Sequence, residues 1–233
     1  MKKSRLIRLV IIIALLGVVY WQRSQGPAER GEASPKKTGD TAVLKDNPFG
    51  DDAPASEKVR GYDKFAGATL IDDKDNDGDS FYVDLDGKKI QLRLYFVDAP
   101  EKYLSDRYAK QQRRVAEQAR ELGDVSPEQI VEVGKAAKLF VERELKGRAF
   151  TVYTYWEQVY DGDRYYGFVE LADGDYLGNR LVENGLARIH TKGPGSKQNP
   201  VPTPDGAAFF DHRDKLRKLE REARNADRGA WGL

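Results

Sequence analysis

The 233 residues contain no cysteine, two histidines, 39% apolar and 33% charged side chains. This is a globular balance that excludes a polytopic membrane protein, a wholly disordered chain, a disulfide framework, thiolate metal sites and a cysteine nucleophile. The net charge is +1, but residues 1–58 hold ten Lys/Arg and seven Asp/Glu, which leaves 29 and 31 for residues 59–233; a fold of net −2 can meet a polyanion only through local clusters.

Lys2, Lys3, Arg5 and Arg8 precede an apolar run from Leu9 to Trp21. Basic-then-apolar is the pattern of a signal peptide or an uncleaved anchor. The run is short for a span unless Leu6 and Ile7 extend it and Arg8 snorkels, and no clean small-residue cleavage site follows. Residues 1–22 therefore read as a signal-anchor in preference to a removed signal peptide. Either way the basic flank stays inside and the rest lies beyond the membrane, envelope-anchored or, after cleavage, secreted or periplasmic. Residues 23–60, with Pro27, Pro35, Pro48 and Pro54 among small and charged residues, read as a flexible linker. Residues 61–233 read as one domain.

Ala68 to Ile71 is a short strand candidate. Phe81, Val83 and Leu85 alternate with polar positions, Asp86-Gly87 signals a hairpin, and Ile90 to Phe96 alternates again. Asp106 to Leu122 is an amphipathic helix with Tyr108, Val115, Ala119 and Leu122 on its stripe. Ser126-Pro127-Glu128 starts a second helix that ends near Gly147. Strands follow at Ala149–Trp156 and Tyr165–Leu171, then a short helix from Tyr176 to Asn184. Residues 191–207 form a loop, and Phe209–Arg224 a closing helix. The expected class is α+β, mainly β: a small five-stranded barrel with packed helices and a helical insertion after strand three.

The densest acidic feature is Asp72, Asp73, Asp75, Asp77 and Asp79. Asp73 to Asp84 has the spacing of a calcium loop, the basis for a calcium-stabilised interaction module. However, Ser80 stands where an apolar residue belongs, and a strand pattern follows. The other reading pairs Asp79, at the head of one strand, with Asp98, at the tail of its neighbour-but-one in sequence, ends that a three-stranded meander can bring together. Two carboxylates and a backbone carbonyl suit a hard cation such as calcium. Glu101 can reach a metal-bound water, and Arg93 offers a planar fork for phosphate. There is no GxGxxG and no GxxxxGK[ST]. His190-x-Lys192 lacks the aspartate of a phospholipase-D-like motif, and Ser196 has no plausible relay.

Asp77-Gly78-Asp79-Ser80, Leu92-Arg93-Leu94 and Val97-Asp98-Ala99-Pro100-Glu101 resemble the staphylococcal nuclease family. So do Leu181 to Arg188 and Gly229-Ala230-Trp231-Gly232, later in the same order. The resemblance runs from about Thr69 to Gly232. It implies an OB-fold barrel and a calcium-dependent endonuclease acting on DNA and/or RNA. It implies Asp79, Asp98 and the Ala99 carbonyl as calcium ligands, Glu101 as the residue that activates or orients water, and Arg93 and Arg164 as the phosphate arginines. For Arg164 an ion pair with Asp161 or Asp163 is the competing reading. The tyrosines that flank the family's nucleotide pocket are replaced by His190-Thr191-Lys192-Gly193, where His190 reads as a barrel-edge or substrate-contact residue. An insertion covers Tyr103 to Glu132. Its Arg107, Lys110, Arg113, Arg114 and Arg120 form either a solvated face or a rim that tracks phosphates. The alternative function is a catalytically inactive nuclease-like module that binds nucleic acid or protein.

Overall fold

The computed structural model describes residues 48–49, 57–105, 107–160 and 162–233. The expected signal-anchor and most of the expected linker lie outside these residues. Among the described residues no helix is long and apolar enough to cross a membrane.

Among the described residues the architecture is mixed α+β, mainly sheet, with four α-helices. The strands are β1 (Glu57–Val59), β2 (Tyr62–Leu70), β3 (Ser80–Leu85), β4 (Lys88–Leu94), β5 (Val97–Asp98), β6 (Phe150–Gln158), β7 (Arg164–Glu170) and β8 (Arg188–Ile189). The helices are α1 (Ala109–Glu121), α2 (Pro127–Leu145), α3 (Leu177–Glu183) and α4 (Phe209–Asn225). One sheet runs β1-β2-β3-β4-β7-β6, and β6 also pairs β2, so the ladder from β2 through β6 returns to its start. Alternation drives this. Phe81, Val83, Leu85, Ile90, Leu92 and Leu94 are buried together, and Asp86 and Gly87 turn β3 into β4 at φ of 51° and 83°. β4 and β7 are parallel. A parallel pair needs a long crossover, and here α1, α2 and β6 supply it.

The sheet begins before residue 61: β1 pairs β2, and Phe49 stacks on Phe65 with ring centroids 5.5 Å apart. β2 is also longer than its apolar signal, because its outer half is held by pairing with β6 and not by a run of apolar residues. α1 starts at Ala109, later than expected, with no side-chain cap; α2 starts on the expected capping box between Ser126 and Gln129. Asp73–Asp84 is not flanked by a helix: β2 precedes it, and β3 begins inside it. Its carboxylates serve the backbone instead. Asp73 accepts from the Asp75 N–H at 3.0 Å, Asp77 from the Ser80 N–H at 3.0 Å, and Asp84 from the Gly87 N–H at 2.7 Å.

Candidate active site

On β4 the apolar side chains of Ile90, Leu92 and Leu94 fill the core, which turns Arg93 to the other face. Arg93 is nevertheless only 6% exposed, because the chain folds back over it. The reversal is at Phe96, a buried aromatic at φ 67°, a conformation that bulky residues rarely adopt. It lifts β5 out of the main sheet to pair with β8 and brings Asp98 to Arg93.

Asp79, just ahead of β3, and Asp98, at the end of β5, are 1% and 2% exposed. Arg93 bridges them: Nη1 lies 2.9 Å from Asp79 Oδ1, and Nη2 donates to Asp98 Oδ1. The Ala99 N–H donates to Asp79 Oδ2 at 2.5 Å. Lys102 fastens the acidic loop to this strand through the carbonyls of Lys74 and Asn76, at 2.8 and 2.6 Å. Asp79, Arg93, Asp98 and Ala99 thus lie together, with Glu101 three residues beyond Asp98. Arg164 joins the same face, since Arg164 and Tyr166 on β7 pair with Gln91 and Arg93 on β4. Its Nη1 donates to Ser80 Oγ at 3.0 Å, and among the described residues it has no ion pair, Asp163 included.

Three further residues crowd the carboxylates. Arg114 of α1 reaches Asp98 Oδ1 at 3.0 Å and Glu101 Oε1 at 3.1 Å. Gln118 of α1 donates to Asp98 Oδ2 at 3.0 Å and the Ala99 carbonyl at 3.2 Å, and accepts from the Glu101 N–H at 3.1 Å. Arg188 of β8 donates to Asp98 Oδ2 at 2.8 Å and to Glu121 at 2.6 Å. Burial opposes ionisation of Asp98, but Arg93, then Arg114 and Arg188, outweigh it and hold the carboxyl at about 2. Burial dominates at Asp79 and pushes its carboxyl up despite Arg93. Gln118 had a readable signal. It falls with Val115, Ala119 and Leu122 on the buried stripe of α1, and a polar residue there needs a partner. Arg188 had none, because its partner is ninety positions away.

Two buried carboxylates, a backbone carbonyl and the nearby Glu101 are the donors a hard cation takes. The set fits calcium in type. In occupancy it is full at one point: an ionised carboxylate has about four acceptor positions, and Asp98 gives its own to Arg93, Arg114, Gln118 and Arg188. A cation at Asp98 must displace a donor. Arg114, with a side chain 43% exposed, has a route to solvent that Arg93 and Arg188 lack.

Arg93 and Asp98 border a cleft of about 530 Å³. Lys110, Arg113 and Arg114 of α1 form one wall, and Tyr160, Arg164 and Tyr166 the other. Tyr160 stands at the mouth, 89% exposed. α1 thus lines the site, and the insertion is not merely a solvated face. His190 also lines this cleft, on its exposed rim.

A search of curated proteins finds no match. The family model described as staphylococcal nuclease homologue matches residues 91–232, a span that holds Arg93, Asp98, Ala99, Glu101 and Arg164 and stops short of Asp79, which the fold supplies. The chain belongs to the staphylococcal nuclease homologue family.

Proposed function

We propose that this chain is a calcium-dependent endonuclease on a five-stranded OB-fold barrel, hydrolysing phosphodiester bonds of DNA and/or RNA. The observation that carries the reading is the convergence of Asp79, Asp98, the Ala99 carbonyl, Glu101 and Arg93, with Arg93 and Asp98 facing a cleft that also holds Lys110, Arg113 and Arg164, none of which has a carboxylate partner among the described residues. Asp79, Asp98 and the Ala99 carbonyl would hold the cation, which when bound supplies Lewis-acid polarisation of the phosphate. Arg93 and Arg164, on adjacent parallel strands, grip the equatorial phosphate oxygens and stabilise the charge that grows on them. Glu101, at the edge of the cation site, orients the attacking water and accepts its proton. That role requires Arg114 to release Glu101 as substrate enters. The basic-then-apolar pattern of residues 1–22 supports an action outside the cytoplasmic membrane, anchored or released.

The alternative, a catalytically inactive module that binds nucleic acid or protein, draws support from the filled acceptor positions of Asp98. Digestion of plasmid and of RNA by the full chain, with calcium and with chelator, separates the two. Cleavage only with calcium supports the enzyme. Retention of nucleic acid without cleavage under calcium, magnesium or manganese supports the module.

A further inference from the structure

A second cleft of about 440 Å³ adjoins the first, and the two share His190, Thr191 and Lys192. Phe96 and Phe209 lie in its floor, and Lys197 and Arg213 in its walls. The floor is fixed by Gly193: a Cβ there would come within 2.3 Å of Phe96 and 2.4 Å of Phe209, so the loop can lie flat on the two rings only at a glycine.

The cations around the two clefts divide by whether a carboxylate already holds them. On α4, Lys215 pairs with Asp175, Arg217 with Asp214 and Lys218 with Glu222. Lys192, between the clefts, pairs with Glu157 at 2.8 Å. Lys197 and Arg213 have no ion pair or side-chain hydrogen bond among the described residues, and the same holds for Lys110 in the first cleft. Arg113 there bonds only to a carbonyl of its own helix. In a domain of net −2, cations without carboxylates are the places where an outside anion gains most. They line the two adjoining clefts, Lys110, Arg113 and Arg164 in the first and Lys197 and Arg213 in the second, with His190–Lys192 shared between them.

We propose that the second cleft is a nucleotide subsite that holds the continuing single strand beside the phosphate at Arg93 and Arg164, with Lys197 and Arg213 binding its next phosphate. The floor rings are covered, Phe96 at 1% and Phe209 at 8% exposure, so the recognising groups are the cations at the rim, which suit a backbone phosphate. Each cleft is sized for individual nucleotides, and the reacting phosphate must reach a nearly buried arginine, so the strand enters unpaired. The assignment rests on the nucleic-acid reading of the first cleft.

The test measures binding of labelled single-stranded DNA and RNA oligonucleotides by anisotropy, in chelator, across a salt series. It compares wild type, Lys197→Gln/Arg213→Gln, and a control, Arg217→Gln/Lys218→Gln, that removes the same charge from paired positions. Single-strand contacts contribute roughly 0.7 each to the slope of log K against log salt, so the cleft variant should lose about 1.4 and the control much less. Both polymers should lose the same slope, since they share the phosphate, and the tighter-binding arm names the natural strand. Thermal melts confirm that these partly or fully exposed substitutions leave the fold intact. An unchanged slope, or an equal loss in the control, overturns the subsite. The nuclease reading fails separately: a wild type that binds the strand but cuts it under no divalent metal refutes catalysis and leaves the second cleft standing.

Discussion

Removing Arg114 should tighten calcium binding. If Arg114 stayed in place, its guanidinium and a divalent cation about 5 Å apart would repel by roughly 7 kcal/mol at an effective dielectric near 20. That far exceeds what holds Arg114 where it is. Its two contacts, at 3.0 and 3.1 Å, belong to a side chain 43% exposed, and after discounting for solvent they are worth about 1–2 kcal/mol together. A cation bound at Asp98 would therefore expel Arg114, and wild type would lose those contacts on loading. Arg114→Met keeps most of the apolar stem and removes the competing charge. At about 1.4 kcal/mol per tenfold, calcium affinity should rise by roughly tenfold. The same variant without metal should be slightly less stable, because Asp98 and Glu101 lose a cation. Calorimetric titration with calcium reads the first effect and a thermal melt in chelator the second. Unchanged or weakened affinity would refute the idea that α1 competes with the cation at Asp98.

Glu101→Gln should lower turnover by roughly 10²–10⁴-fold, the loss expected of a missing base, with the melt lowered at most slightly by loss of the Arg114 ion pair; full activity removes Glu101 from the chemistry. Arg93→Lys and Arg164→Lys keep charge but lose the fork, so both should be severely impaired, and near-normal kcat in either would reduce that residue to a general electrostatic aid. A Cβ at Gly134 of α2 would lie 2.4 Å from the Glu101 carbonyl oxygen and 2.6 Å from that of Pro100; Gly134→Ala should cost about 1–3 kcal/mol by urea titration and depress activity by moving Glu101. Burial, aided by Lys215 and opposed by Asp205 and Asp175, lowers the pKa of His212 to about 4. The unfolded chain takes up this proton first, so stability should fall by up to about 3 kcal/mol as pH drops from about 6.5 to 4, and His212→Phe should flatten that slope in melts across the range.

The strands and helices were readable wherever one chemical period governed them. Phe81, Val83 and Leu85 alternate because one face of β3 is core, and Ser126-Pro127 caps α2 because the first turn of a helix needs that acceptor. The first half of β2 and the whole of β1 have no such period: the core residues Tyr62 and Phe65 are three apart, and β1 is held by pairing with β2 while its side chains are largely exposed. Phe96 was equally opaque. Nothing in an alternating run says that one aromatic will take a left-handed turn, yet that turn brings Asp98 back to Arg93.

The site divides along the same line. Asp79, Arg93, Asp98 and Glu101 could be gathered from sequence because short connections join them, and a hairpin can bring them together only in a few ways. What surrounds them comes from far along the chain: Arg114 and Gln118 from α1, Arg188 from β8. Those three alter the chemistry of the core set. Without them Asp98 would have one guanidinium and open acceptor positions, a site ready for a cation. With them it is a carboxylate shared among three arginines, two of them nearly inaccessible and one on a helix at the cleft wall. The helix that carries Arg114 also carries Lys110 and Arg113, which have no carboxylate partner among the described residues. Substrate phosphates drawn to Lys110 and Arg113 would give Arg114 a second anion to face. Loading of strand and loading of cation would then favour each other, because both would be served by the same departure of Arg114 from Asp98 and Glu101.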